Sequence, residues 1–143
     1  MIAVDTNILV GCVRAEYPHH GKALERIRDP AEGSSAWALP WACVHEFLAV
    51  VTNPRIFRVP LAANQAAEAI DAILESPTVR LIAEGPGYWD TLRQLVTGGG
   101  ISGAKVHDAR IAAICITHGV TELWTADRDF GRFPALRIRN PCV

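Results

Sequence analysis

Residues 1–10 read Met1-Ile2-Ala3-Val4-Asp5-Thr6-Asn7-Ile8-Leu9-Val10, and this stretch decides the fold. The apolar run over residues 1–4 does not alternate with polar residues, which predicts a short strand covered on both faces. Asp5 follows at the carboxyl end of that strand, and Thr6 and Asn7 are candidate helix caps after it. Ligands bind at that edge of an open α/β sheet. A carboxylate there needs a partner to offset its desolvation, so Asp5 indicates a binding site.

Length and composition limit the class of protein. The chain has 143 residues, of which 50% are hydrophobic and 20% are charged, and this predicts one globular domain over residues 1–143. No apolar run approaches the roughly 18 residues that cross a bilayer, so we expect no membrane association. The beginning of the sequence lacks the basic region of a signal peptide, which favours a cytoplasmic protein. With a net charge of −1, binding of nucleic acid would depend on local basic patches and metal ions.

Strand and helix patterns alternate along the rest of the chain. Strands are predicted at residues 36–39, 78–82, 122–125 and 136–139, and helices at 7–14, 19–28, 40–52, 61–75, 88–96 and 105–118. The second helix is expected to end at Asp29-Pro30, and the glycines within 98–103 predict a flexible loop. This alternation predicts an α/β fold, a three-layer α/β/α sandwich with a mainly parallel central sheet.

The third predicted helix carries a second informative acid. Its core stripe follows the spacing i, i+3, i+4, i+7 and consists of Val44, Phe47, Leu48 and Val51. Glu46 lies roughly opposite the centre of that stripe, on a face of small residues. Two interpretations remain open: Glu46 reaches solvent, or its small neighbours mark the close approach of another element.

Two further acids are placed to reach the edge of the sheet at which Asp5 lies. Asp127 follows the strand over 122–125, so it emerges at the same carboxyl edge. Asp108 falls in the first turn of the helix over 105–118, where the helix dipole alone would explain it. Glu46 and Asp108 both lie on helices that can flank this edge. The sequence therefore predicts that four carboxylates converge there.

Converging carboxylates need positive charge. At ~5 Å and an effective dielectric constant of ~20, each pair repels by about 3 kcal/mol, so such a cluster persists only with raised pKa values or bound cations. Oxygen ligands without paired cysteines or histidines favour Mg²⁺ or Mn²⁺ over zinc. A carboxylate-held ion of this kind is suited to phosphodiester hydrolysis.

The same acids lie in four motifs that occur in a recognisable order. The motifs are Val4-Asp5-Thr6-Asn7-Ile8-Leu9, His45-Glu46-Phe47 followed by Thr52-Asn53-Pro54-Arg55, His107-Asp108-Ala109-Arg110-Ile111-Ala112-Ala113, and Thr125-Ala126-Asp127-Arg128-Asp129-Phe130. Each motif is weak alone, but the ordered set is specific and spans nearly the whole chain. It resembles the PIN-domain ribonucleases, and in particular the VapC-type toxins of bacterial toxin–antitoxin pairs.

The resemblance implies a fold, a site and partners. It implies that Mg²⁺ (or Mn²⁺) and its nucleophilic water are held by Asp5, Glu46, Asp108 and Asp127. Accessory polar positions correspond to Thr6, Asn7 and Thr125, with Asp129 as an additional acid. The implied activity is endonucleolytic cleavage of RNA, such as tRNA or rRNA, leaving 3′-hydroxyl and 5′-phosphate ends. Proteins of this family usually form homodimers and are silenced by a cognate VapB-type antitoxin that blocks the acidic site. Residues 7–28 and 61–75 are candidate surfaces for either partner.

The sequence favours structural roles for several other residue types that often carry function. The cysteines lack a C-x-x-C pair, which favours reduced core residues over zinc or disulfides: Cys12, Cys43, Cys115 and Cys142. Apolar neighbours place the tryptophans in the core rather than on bases: Trp37, Trp41, Trp89 and Trp124. His45 and His107 each precede a candidate acid and therefore point about 100° away from it, which favours polar roles over metal ligation. Phosphate contact and a solvated surface role are equally compatible with Arg55, Arg58, Arg110, Arg128 and Arg132.

Two other functions agree with parts of the sequence. Phosphatases of the haloacid-dehalogenase type place D-x-D after the first strand, but here Asp5-Thr6-Asn7 lacks the second acid and no lysine follows in their pattern. A catalytically silent domain that binds RNA or a partner protein is the second alternative. It has no physical reason to keep four converging carboxylates, and loss of RNA cleavage in Asp5→Ala would distinguish it from a nuclease.

Overall fold

Five strands form one sheet at the centre of the structure, a computed structural model that describes all 143 residues. They are β1 (Ile2–Val4), β2 (Trp37–Pro40), β3 (Val79–Ile82), β4 (Glu122–Trp124) and β5 (Arg137–Arg139). Their spatial order is β3-β2-β1-β4-β5, and every pairing is parallel. The central strand is the apolar run at the start of the chain, where Ala3 and Val4 are fully buried. The carboxyl ends of β1 and β4 are therefore neighbours, as the position of the acids requires.

Six helices flank the sheet and connect its strands. They are α1 (Thr6–Val13), α2 (His20–Glu32), α3 (Trp41–Val51), α4 (Ala63–Leu74), α5 (Tyr88–Gly99) and α6 (Val106–Thr117), with short 3-10 helices at Gly103–Lys105 and Arg128–Arg132. Helix α1 packs against α2 and α3, and α5 packs against α6. This arrangement confirms the predicted α/β/α fold with a parallel sheet. None of the helices has the length and apolar character needed to cross a membrane.

Helix α2 is longer than predicted because tertiary hydrogen bonds support its last turn. It continues through Pro30 to Glu32, whereas the sequence predicted an end at Asp29-Pro30. The hydroxyl of Thr78 donates to the carbonyl of Pro30 at 3.1 Å, and that of Ser76 donates to the carbonyl of Ala31 at 2.7 Å. The final carbonyls of a helix lack partners within the helix, and these side chains supply them from the segment before β3.

Helix α5 differs from prediction at both its end and its buried face. It continues to Gly99, and Gly100 ends it with φ of 60°, so the predicted glycine-rich loop is shorter than residues 98–103. Trp89 is 65% exposed and Trp41 is 39% exposed, so their assignment to the core is wrong. No residue of α5 is fully buried, because this helix lies at the outside of the fold. Trp37 and Trp124 do lie in the core, as predicted.

The four cysteines have the predicted structural role. All are free thiols. Cys43, Cys115 and Cys142 are buried and Cys12 is partly buried. Burial raises the pKa of the Cys12 and Cys115 thiols to about 12, so both remain protonated and unreactive at neutral pH.

Candidate active site

Asp5 is buried at the junction of β1 and α1 and accepts hydrogen bonds on both oxygens. Oδ1 accepts from the backbone N–H of Thr6 at 2.7 Å and from the thiol of Cys43 at 3.6 Å. Oδ2 accepts from the hydroxyl of Thr125 at 2.7 Å and from the amide of Asn7 at 3.0 Å. Asp5 itself caps α1, which corrects the prediction that Thr6 or Asn7 does so. Those two side chains instead hold other groups of the site.

Burial dominates the acidity of Asp5. Only 3% of the residue is exposed, and this desolvation raises the pKa of its carboxyl from 3.8 to about 6. Hydrogen bonds from Thr125 and Thr6 lower the pKa, and the nearby charge of Glu46 raises it further. The raised pKa shows that the four hydrogen-bond donors do not fully offset the desolvation of the ionised carboxylate. A bound cation would stabilise the ionised form.

Glu46 is joined to Asp5 through Thr6. The hydroxyl of Thr6 donates to Oε2 of Glu46 at 2.6 Å. Glu46 is exposed on α3, whereas Val44, Phe47 and Val51 on the same helix are buried. Both interpretations of Glu46 therefore hold: the residue reaches solvent, and another element, the first turn of α1, approaches it closely.

A network around Thr125 ties the end of β4 to the start of α1. The hydroxyl of Thr125, which donates to Asp5, accepts from the amide of Asn7 and from the backbone N–H of Asp127, each at 3.0 Å. The side-chain oxygen of Asn7 accepts from the backbone N–H of Ala126 at 2.9 Å. The predicted accessory residues Asn7 and Thr125 thus fix Asp5 relative to Asp127, and the third, Thr6, joins Asp5 to Glu46.

Three aspartates converge on the other side of the site. One carboxylate oxygen of each of Asp108, Asp127 and Asp129 lies within 4.8 Å of the other two. Asp108 is in the first turn of α6, and Oδ1 of Asp127 accepts from the backbone N–H of Asp129 at 2.9 Å. Desolvation, followed by the charge of Asp127, raises the pKa of Asp108. The additional acid Asp129 therefore lies with the predicted set.

Lys105 is the charged residue at this site that the sequence analysis did not assign. Its ammonium group pairs with Oδ2 of Asp129 and lies 3.8 Å from Oδ2 of Asp108. The hydrogen bond with Lys105 lowers the pKa of Asp129, and the same bond raises the pKa of Lys105. The spacing of Lys105 and Asp108, three residues apart at the start of a helix, is the signal that could have indicated it.

The predicted histidines and arginines lie around the site rather than within its hydrogen-bond network. His45 and His107 are exposed, and His45 stacks against Trp41 with ring centroids 6.4 Å apart. Arg110 pairs with Glu84. The remaining candidate arginines are exposed: Arg55, Arg58, Arg128 and Arg132. Contact of these arginines with phosphates stays a prediction.

The four predicted acids share one pocket of about 210 Å³. Asp5, Glu46, Asp108 and Asp127 all contribute to its lining, and each comes from a different part of the chain: the end of β1, α3, α6 and the segment after β4. Their donor atoms are all carboxylate oxygens, the ligands that Mg²⁺ prefers. Desolvation is the main cause of the raised pKa values of Asp5 and Asp108, so a cation in the pocket would favour the ionised carboxylates. This donor set fits a divalent cation.

Comparison with known proteins identifies the family. The PIN domain family matches residues 2–136. The chain is 33% identical to ribonuclease VapC48 of Mycobacterium tuberculosis, an alignment that covers 96% of this chain and 94% of that protein. Two solved structures share the fold with TM-scores of 0.67. VapC20 of M. tuberculosis, a sarcin-ricin loop cleaving toxin, is 20% identical to this chain, and the match covers 92% of this chain and 93% of VapC20. VapBC2 of Rickettsia felis, bound to a DNA fragment from its promoter, contains a chain that is 21% identical to this one. That match covers 97% of this chain and 98% of the other. The chain therefore belongs to the PIN domain family and, within it, to the VapC group.

Proposed function

We propose that this protein is a Mg²⁺-dependent endoribonuclease that acts as the toxin of a toxin–antitoxin pair. The observation that carries this proposal is the convergence of Asp5, Glu46, Asp108 and Asp127 on one pocket at the carboxyl edge of the sheet. The ribonuclease names of the VapC relatives support RNA as the substrate. Because RNA is found in the cytoplasm, we place the protein there.

The side chains have separate tasks in this proposal. Asp5, Glu46, Asp108 and Asp127 hold the ion and orient the attacking water, whereas Thr6, Asn7 and Thr125 orient the acids. Mg²⁺, or Mn²⁺ in its place, supplies activation of the water and stabilisation of the charge that grows on the phosphate and leaving oxygen. Hydrolysis of this type leaves 3′-hydroxyl and 5′-phosphate ends.

The substrate proposed here is an exposed loop of tRNA or rRNA. Enzymes read RNA sequence mainly in unpaired segments whose bases are accessible, and the acidic pocket is open to solvent, since Glu46 in its lining is exposed. Exposed Arg55 and Arg58 follow α3, and Arg128 and Arg132 flank the acidic turn after β4. These arginines would offset the negative charge of the pocket toward a polyanion.

A VapB-type antitoxin is the proposed protein partner, and a homodimer the proposed assembly. An apolar groove of about 530 Å³ lies between α1, α2 and α4, and its lining includes Leu9, Val13, Leu24, Ile27 and Ile73. Most of the residues that line this groove belong to the two surfaces predicted from sequence, residues 7–28 and 61–75. The VapBC2 structure supports a partner of this kind, and an amphipathic helix of the antitoxin would fit the groove.

The experiment that tests this function is mapping of RNA 5′ ends in cells after brief induction. Wild-type protein should create new 5′-phosphate ends at a small number of positions in tRNA or rRNA, and co-expression of the antitoxin should suppress them. Asp5→Ala, induced to the same level, is the control and should leave the RNA intact. New ends that are as frequent with Asp5→Ala as with wild type would reject the proposal.

A further inference from the structure

Lys105 lies where the local structure gives a cation no advantage. It immediately precedes α6 at the end of the 3-10 helix Gly103–Lys105, next to the positive end of the helix dipole, where a cation is unfavourable. What surrounds its ammonium group instead is acidic: it pairs with Asp129 and lies 3.8 Å from Asp108. The acids of the active site, rather than the helix, therefore account for this lysine.

The residue type is also unusual for this chain. Of the 14 basic residues, only two are lysines, Lys22 and Lys105. An ammonium group is a compact charge on a flexible four-carbon stem, and it can change partners more freely than a planar guanidinium. The side chain of Lys105 is 45% exposed, so its charged end is accessible to a ligand that enters the acidic pocket.

We propose that Lys105 is a further catalytic residue, whose ammonium group neutralises Asp129 and Asp108 in the metal-free protein and contacts the phosphate of bound RNA. This inference rests on the function proposed above. Without an ion, Lys105 is the cation that lies closest to the three converging aspartates. A divalent ion held by Asp108 and Asp127 would repel the neighbouring ammonium group, which would favour contact of that group with the polyanion. A second, tethered positive charge at the phosphate then stabilises the charge that develops during cleavage.

Three consequences follow for Lys105→Gln, and they differ in sign. Metal-free protein should melt at a lower temperature, because the aspartates lose their cation. Mg²⁺ should bind about fivefold more tightly, the size expected for removal of one partly exposed competing charge. Single-turnover cleavage at saturating Mg²⁺ should nevertheless slow by about tenfold or more, because the contact with the phosphate is lost. A residue that merely stabilised the fold would not tighten metal binding.

The test combines Mg²⁺ titration calorimetry, melting in EDTA, and single-turnover cleavage of an RNA substrate by the full chain. Arg93→Gln is the matched control, since it removes one positive charge at an exposed position on α5 and should behave as wild type in all three assays. Lys105→Arg keeps the charge and should restore the melting temperature and the wild-type Mg²⁺ affinity.

The outcomes separate this inference from the proposed function. If wild-type protein binds Mg²⁺ and cleaves RNA but Lys105→Gln matches Arg93→Gln, the role of Lys105 is wrong and the function stands. Weaker Mg²⁺ binding by Lys105→Gln would also overturn the inference. If wild-type protein neither binds Mg²⁺ nor cleaves RNA, the proposed function fails and the inference falls with it.

Discussion

The hydroxyl of Thr6 donates a 2.6 Å hydrogen bond to Oε2 of Glu46, while the backbone N–H of Thr6 donates to Asp5 at 2.7 Å. One residue in the first turn of α1 thus joins two acids from different elements. The side chain of Thr6 is almost fully enclosed, with 8% of the residue exposed. The relative position of Asp5 and Glu46 therefore depends on the geometry with which α1 begins.

Thr6→Val tests this link, because it removes the hydroxyl and keeps the shape of the side chain. The backbone hydrogen bond to Asp5 remains, so we expect the fold to persist while Glu46 loses its orientation. Cleavage should slow by about 10- to 100-fold, the range for loss of a residue that orients a metal ligand. Thr6→Ser keeps the hydroxyl and should retain most activity. Equal cleavage rates for Thr6→Val and wild type would show that the bond does not matter.

The raised pKa of Asp5 predicts how the metal-free protein responds to pH. Its carboxyl has a pKa of about 6 in the folded state against an ordinary value of 3.8, so the folded state binds the proton more tightly than the unfolded state does. This contribution to stability is present below about pH 4 and is lost as pH rises through 6. It amounts to about 3 kcal/mol at ~1.4 kcal/mol per pH unit.

Denaturant titrations in EDTA between pH 4 and 7 measure this effect. Other acids also titrate in this range, so the informative quantity is the difference between wild type and Asp5→Asn. Relative to the variant, wild type should lose stability as pH rises. A difference that does not change with pH would mean that Asp5 has an ordinary pKa in the folded protein.

Asp108→Asn should have opposite effects on metal-free and metal-bound protein. The pKa of Asp108 is raised by desolvation and by the charge of Asp127, so removing its charge relieves repulsion. In EDTA, the free energy of unfolding should rise by roughly 0.5 kcal/mol, as for a partly exposed charge pair. Mg²⁺ affinity and turnover should both fall. A marked drop of the melting temperature in EDTA would instead show that Asp108 matters mainly to the start of α6.

The contacts of Arg14, which lies outside the acidic pocket, predict that replacing this residue lowers the stability of the protein. Its guanidinium is buried, donates to the carbonyl of Val59 at 2.6 Å, pairs with Glu16 and lies 4.5 Å from the ring centroid of Phe57. It thereby fastens the segment after α3 to the end of α1. Arg14→Met should lower the free energy of unfolding by about 2 kcal/mol, because the charged hydrogen bond from the buried guanidinium to the Val59 carbonyl is lost.

Chemical denaturation measures this loss, and an exposed arginine of the same segment provides the control. Arg58→Met should change stability by no more than about 0.5 kcal/mol, as is usual at exposed positions. Similar values for Arg14→Met and Arg58→Met would contradict a structural role for Arg14.

Much of the fold, and the elements on which the four acids lie, could be predicted because both depend on short-range patterns. The apolar run before Asp5 defines a buried strand by itself, and the parallel topology then brings the segment after β4 to the same edge. The positions of Glu46 and Asp108 follow from helical periodicity. The exposure of Trp89 could not be predicted, because residue type and spacing do not reveal that α5 lies at the outside of the fold.

Long-range contacts account for the rest. The continuation of α2 through Pro30 depends on hydroxyls of Ser76 and Thr78, which are distant in sequence. The pairing of Lys105 with Asp129 likewise joins residues 24 positions apart. Neither contact can be predicted from the hydrophobic periodicity of the sequence. The cap of α1 could not be predicted for a different reason: aspartate, threonine and asparagine are all favoured N-cap residues, so residue type does not distinguish Asp5 from Thr6 or Asn7.

Cleavage of RNA by purified protein shows most directly whether the four carboxylates support a Mg²⁺-dependent nuclease. Wild type should cut RNA with Mg²⁺ to give 5′-phosphate ends, and should stop in excess EDTA. Asp5→Ala and Asp108→Ala, shown by circular dichroism to be folded, should be inactive with Mg²⁺. Full activity in excess EDTA would contradict the metal mechanism, and cleavage that persists in both variants would contradict the assignment of the site.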